Sequence, residues 1–129
     1  MLTDDGQALL LRKYWPGPST VILRTPEGGS CGYRIPGHEF VRRMIKESGV
    51  EMVATSANRS GEPPVTNGAT ACREFTGRVD LIIDGGKVSG TASTVLDLSF
   101  SPPRILREGP VTCDQIEACL GCQVLSASH

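Results

Sequence analysis

Apolar residues recur along this chain in short blocks, and the period of each block predicts an element. Residues 7–14 form the body of a helix that Thr3 caps and the Pro16, Gly17, Pro18 break ends. Residues 19–24, "STVILR", are short and β-branched, which predicts a strand. A turn through Pro26 and Gly29 leads into a second strand over 30–35, making a hairpin. Over 38–48 the residues Phe40, Val41, Met44 and Ile45 keep helical spacing, and Gly49 is the stop. Residues 51–55 predict a brief central strand. Thr66 is placed to cap a helix over 67–75 that Gly77 ends. Residues 79–83, "VDLII", predict a buried strand stopped by Asp84, Gly85 and Gly86. Another strand falls at 93–98, "STVLDL", and a short one at Ile105 and Leu106. Thr112 and Gln115, in capping-box spacing, open a last helix that runs to Leu120 and stops at Gly121.

Strands interleaved with helices, one pair of them a hairpin, predict an α/β fold on a mixed sheet. The length of 129 residues suits one domain over 1–129, with 112–129 as its terminal helix and tail. A net charge of −1 gives no electrostatic reason for nucleic acid or a membrane as main partner and favours a small ligand. The acidic, polar start does not read as a secretory signal, and no apolar run approaches the roughly 20 residues of a membrane span, so the expected compartment is cytoplasmic. Five cysteines in such a setting read as reduced thiols. Cys119 and Cys122 form a CxxC with Cys113 and His129 near in sequence, which leaves zinc binding or redox chemistry as the alternative to thiols packed on a terminal helix.

Ligands in open α/β sheets bind outside strand ends, and polar residues gather there in this chain. The run "VATSANRSGEPP" passes from apolar residues to Ser56 and Asn58, which supply donors and acceptors in a turn suited to phosphate oxygens or to capping its own backbone. Arg34 and Arg107 lie in strand-like segments, where a planar guanidinium faces either solvent or an anion such as a carboxylate or phosphate. Ser93 and Thr94 open a strand just after Gly90. Asp84 and Asp97 could bind Mg²⁺ or do acid–base work, and we read both as structural turn and backbone partners. His38 suits a helix N-terminus. The common nucleotide, hydrolase and metalloprotease motifs are not in the sequence.

In this order, "WPGPSTVIL", "CGYRIPGH", "VATSANRSGEPPVT", "GRVDLIIDGG", "STVLDL" and "PPRILREG" resemble the YrdC-like family of threonylcarbamoyl-AMP synthases over most of the chain. The resemblance implies a twisted sheet flanked by helices with a concave nucleotide cleft. It also implies condensation of L-threonine, bicarbonate and ATP, with Mg²⁺, to threonylcarbamoyl-adenylate and pyrophosphate, for modification of tRNA. At matching positions Ser30, Ser56, Asn58, Pro64 and Arg107 fall where the family meets ATP, Pro64 replacing what is commonly a serine. Arg34, Ala54 and Ser93 fall where it meets threonine, Arg34 pairing with the carboxylate. Such a site needs proximity and neutralised phosphate charge more than a dedicated nucleophile.

Family members carry a further segment with a Lys-x-Arg motif ahead of the Trp-Pro-Gly-Pro turn, whereas here a short helix precedes Trp15. Without those cations and the strands that carry them, the expectation is a sheet with an open edge and a rate lowered on the order of a thousandfold. Two other readings stand beside the synthase: a related enzyme forming a carbamoyl-adenylate, and a non-catalytic remnant binding double-stranded RNA, tRNA or a protein. Threonylcarbamoyl-transfer enzymes are the expected downstream partners.

Overall fold

The sheet in the computed structural model, which describes residues 4–126, has five strands in the order β2-β1-β3-β4-β5. They are β1 (Ser19–Arg24), β2 (Ser30–Tyr33), β3 (Thr94–Asp97), β4 (Arg104–Arg107) and β5 (Leu125–Ser126). The helices are α1 (Asp4–Tyr14), α2 (Glu39–Ser48), α3 (Gly68–Phe75) and α4 (Cys113–Leu120). The sheet is mixed, as expected: β1 pairs antiparallel with β2 and parallel with β3, while β4 runs antiparallel to β3 and parallel to β5. The Thr3 cap and His129 lie outside the described residues.

The chain divides into two compact units, one made of Met1–Val50 with Ala92–His129 and the other of Glu51–Thr91. In the first, alternate strand positions separate two faces. Val21, Leu96 and Ile105 enter a core with Leu10 of α1, Ile116 and Leu120 of α4, and Val111 and Val124. Each such side chain contributes roughly 1.5–3 kcal/mol by leaving water. Gly6 lets α1 come close to α4, because a Cβ there would stand 3.0 Å from the Leu120 carbonyl oxygen. The α4 capping box forms as its sequence predicts: the Thr112 side chain accepts from Gln115 N, and Gln115 Oε1 accepts from Thr112 N at 3.0 Å. Gly121 ends the helix in the left-handed conformation, and Gly49 does the same for α2 after His38 at its N-cap. The turn before β2 closes as Gly28 N donates to Thr25 O and Thr25 N to Gly29 O.

In the unit Glu51–Thr91, α3 is capped by Asn67, not Thr66; Asn67 Oδ1 accepts from Thr70 N at 2.9 Å. A capping side-chain oxygen reaches the N–H of the second or third helical residue, and from Asn67 that is Thr70, the third residue of α3. Asp84 is a turn residue, its Oδ1 accepting from Gly86 N, and its carboxylate fills the space over Gly68 at the positive end of α3.

Two predicted strands are not strands. Residues 51–55 are irregular, and 79–83 has only an isolated bridge from Val79 to Thr76. Strand conformation is held by a neighbouring edge, and among the described residues neither segment has one. The predicted burial is absent too: Val53 is fully exposed and Leu81 is 74% exposed. β2 stops at Tyr33, two residues before its predicted end, where Ile35 O accepts from Gly17 N instead of a strand partner.

One buried hydroxyl fastens the segment after β4 to β3. Thr94, 1% exposed, donates through Oγ1 to Val111 O at 2.7 Å and accepts from Val111 N and Gly109 N, both at 3.0 Å. Thr94→Val keeps the shape and strips all three bonds, so unfolding by urea should show a loss of about 2–4 kcal/mol, whereas Thr94→Ser should lose only about 1 kcal/mol.

Candidate functional site

The face of the sheet opposite the core carries the polar residues. Thr20 pairs with Val95 and Val95 with Arg107 across β1, β3 and β4, and paired residues share a face. Ile22 pairs with Gly32 and Arg24 with Ser30, which puts Ser30 on that same face at the β2 edge. Ser93, just ahead of β3, joins them through its side chain.

Arg107 and Ser93 form a fixed pair. Arg107 Nε donates to Ser93 O at 3.0 Å and Nη2 donates to Ser93 Oγ at 3.3 Å. The backbone brings them together because β3 and β4 are antiparallel neighbours, and the Thr94 hydroxyl holds Gly109 just beyond. A Cβ at Gly109 would stand 2.6 Å from Ala92 O and Thr94 N, so this approach requires glycine. Ser93 Oγ lies 3.1 Å from Thr20 Oγ1. Thr20 was not among the residues the motifs singled out. Its signal was parity: in "STVIL" it alternates with Val21, which is in the core.

Arg34, just past β2, donates from Nε to Gly17 O at 3.2 Å. This anchors the base of the guanidinium, whose Nη edge is the fork that binds a carboxylate through two parallel bonds. Arg34 also lines a hollow of about 350 Å³ with Trp15, Leu23, Tyr33 and Ile35. Trp15 is held by its indole N–H, which donates to Ser19 O at 2.9 Å.

The remaining site residues, Ala54, Ser56, Asn58 and Pro64, belong to the unit Glu51–Thr91. Their loop closes on itself, with Glu62 N donating to Arg59 O and Val65 N to Ala57 O. Ala54, Ser56 and Pro64 are exposed. Asn58 Nδ2 donates to Arg59 O, and its Oδ1 is buried with no hydrogen-bond partner among the described residues.

Asp97 is structural, as expected: its Oδ1 accepts from Ser99 N and Ser99 Oγ. Near the C-terminus, burial pushes the Cys113 thiol up, and Glu117, Asp114 and Glu108 add to the rise, which keeps it in the less reactive thiol form. Among the described residues no cluster of three His, Cys, Asp or Glu could hold a metal ion. Alkylation with iodoacetamide at about pH 8 should modify exposed Cys31 and Cys72 well before Cys113 and Cys119. By mass spectrometry, Cys113 should gain reactivity only in more alkaline buffer.

The family model Sua5/yciO/yrdC, described as telomere recombination, matches residues 3–109. Threonylcarbamoyl-AMP synthase of Pyrococcus abyssi is 37% identical over 88% of this chain and 36% of its own length. The enzyme of the same name from Bacillus subtilis is 37% identical over 87% of this chain and 36% of its own. A crystal structure of P. abyssi Sua5 complexed with L-threonine superposes with a TM-score of 0.83 at 32% identity, over 96% of this chain and 40% of that one. The chain thus spans little more than a third of the length of these relatives. With the family model matched from the first helix to the glycine beyond β4, this chain belongs to the Sua5/YciO/YrdC family.

Proposed function

We propose that this chain carries part of a threonylcarbamoyl-AMP synthase site, joining L-threonine, bicarbonate and ATP into threonylcarbamoyl-adenylate and pyrophosphate for modification of tRNA in the cytoplasm. The observation that carries the reading is the pair Arg107–Ser93, a guanidinium and a hydroxyl fixed on one face of the sheet and presented together. It is supported by the relatives named threonylcarbamoyl-AMP synthase and by the L-threonine in the complex with P. abyssi Sua5.

In this reading the amine of threonine and bicarbonate first give a carbamate with loss of water. A carbamate oxygen then attacks the α-phosphorus of ATP, and the bond to the pyrophosphate leaving group breaks. No side chain need form a bond to the substrate; the protein orients the two reactants and spreads the phosphate charge. In the unit that holds the sheet, Arg34 takes the threonine carboxylate through its Nη edge, Ser93 adds a threonine contact, Arg107 faces the phosphates and Ser30 the nucleotide. In the unit Glu51–Thr91, Ala54 suits threonine, and Ser56 and Asn58 suit the nucleotide; the buried Oδ1 of Asn58, without a hydrogen-bond partner among the described residues, is an acceptor suited to an amine or hydroxyl donor. Pro64 offers no hydroxyl. The site residues supply guanidinium, hydroxyl and amide groups and no carboxylate, so a Mg²⁺ would be held by the phosphates of ATP rather than by these side chains; bound, it would neutralise part of the phosphate charge.

Isothermal titration tests the assignment. Arg34→Ala should weaken L-threonine about 10- to 100-fold and leave ATP within a few-fold, and Arg107→Ala should do the reverse, as expected for charge-assisted bonds of about 1.5–3 kcal/mol. A flat titration of the native chain with both ligands would overturn the reading.

A further inference from the structure

Thr20 and Ser93 are 73 residues apart in sequence, yet their hydroxyls meet at 3.1 Å. The parallel pairing of β1 with β3 sets this contact. Ser19 is opposite Thr94 and Thr20 is opposite Val95, so Thr20 reaches across toward the residue that precedes β3. Ser93 is almost buried, 6% exposed, and its Oγ already accepts from Arg107 Nη2.

Counting protons gives the contact a direction. A hydroxyl has one donor and two acceptor sites, so the Thr20–Ser93 pair has two protons between them. Their mutual bond takes one. The other is left on a pair that stands against a guanidinium, and an acceptor drawn to that place is an anionic oxygen. If Thr20 donates to Ser93, both Ser93 lone pairs are occupied, by Thr20 and Arg107, and the Ser93 proton has to point away from both.

We propose that Thr20 is a positioning residue: by donating to Ser93 Oγ it aims the Ser93 proton at a carboxylate or phosphate oxygen of the ligand. The ligand's identity rests on the synthase reading; the hydroxyl geometry does not. Strand propensity alone would explain a β-branched residue at this position but not its hydroxyl. Valine is therefore the informative substitution. It keeps the branch that lies beside Gly32, whose added Cβ would meet Thr20 Cγ2 at 3.5 Å, and removes only the hydrogen bond.

L-threonine and ATP titrated separately against the full chain distinguish a carboxylate from a phosphate acceptor. Thr20→Val should weaken one of them by about 3- to 10-fold, the size of one neutral hydrogen bond, while Thr20→Ser stays within about twofold of native. Adding Thr20→Val to Ser93→Ala should cost nothing more, since the hydroxyl it positions is already gone. A loss below threefold in both arms, an equal loss in Thr20→Ser, or full additivity in the double variant overturns the proposal.

If the native chain binds neither ligand, the synthase reading fails and the role of Thr20 is decided on the protein alone. Three-bond NMR couplings between the Ser93 hydroxyl proton and its Hβ protons, which report rotation about Cβ–Oγ, should then show a single rotamer in the native and Thr20→Ser chains and averaging in Thr20→Val. One unchanged rotamer in all three overturns it.

Discussion

A single buried hydroxyl, Thr94 Oγ1, ties the polar face of the sheet to its core. It is fully used, with one proton donated to Val111 O and both lone pairs filled by Gly109 N and Val111 N. The segment that leaves β4 would otherwise present unpaired backbone groups to the interior, which costs more than the bonds themselves contribute. The residue before Thr94 is Ser93, and Arg107 stands two places before Gly109. The interaction that closes the core therefore also sets the distance between the serine and the guanidinium that we propose for the ligand site. The motifs "STV" and "REG" acquire a physical reason: the first supplies the hydroxyl hub and the second the glycine that can stand against it.

Elements whose signals are local were legible in the sequence. The hairpin of β1 and β2 follows from β-branching and a Pro-Gly turn, and α4 from a Thr and a Gln three residues apart with a glycine at its end. Segments that depend on a distant partner were not. "VDLII" has the composition of an inner strand, yet a strand is a relation between two segments, and Leu81 and Ile83 lie exposed with no paired edge among the described residues. Leu125–Ser126 went unrecognised for the converse reason. Two residues carry no period, and only the neighbouring β4, with Leu125 opposite Arg104, makes them a strand.

The site was legible as a set of residues and not as an arrangement. Resemblance to the family supplied Ser93 and Arg107 separately; that one guanidinium holds both the carbonyl and the hydroxyl of the same serine is a product of strand pairing. Thr20 was hidden by its own propensity, since a threonine in a strand calls for no further explanation. Its neighbour across the sheet comes from the far end of the sequence, so no window along the chain contains both. The cysteines read in sequence as packed thiols with zinc or redox chemistry as the alternative; burial first, and the acidic groups around it second, raise the Cys113 thiol away from the reactive thiolate.

The two arginines are held differently, and the difference matters for what each can do. Both are exposed, but Arg34 is anchored only through Nε to one backbone carbonyl, so its fork must still be ordered when an anion arrives, and that ordering subtracts from affinity. Arg107 is held at two points by Ser93, and Ser93 by Thr20, so its direction is fixed before any ligand binds. Electrostatic stabilisation of a developing charge requires donors that do not have to reorganise as the charge appears. Arg107 meets that requirement and Arg34 does not. A carboxylate that is the same before and after reaction suits the adaptable arginine, and a phosphate whose charge shifts during reaction suits the fixed one. The supports given to each guanidinium thus favour the division of ligands that we propose and that the family resemblance implies.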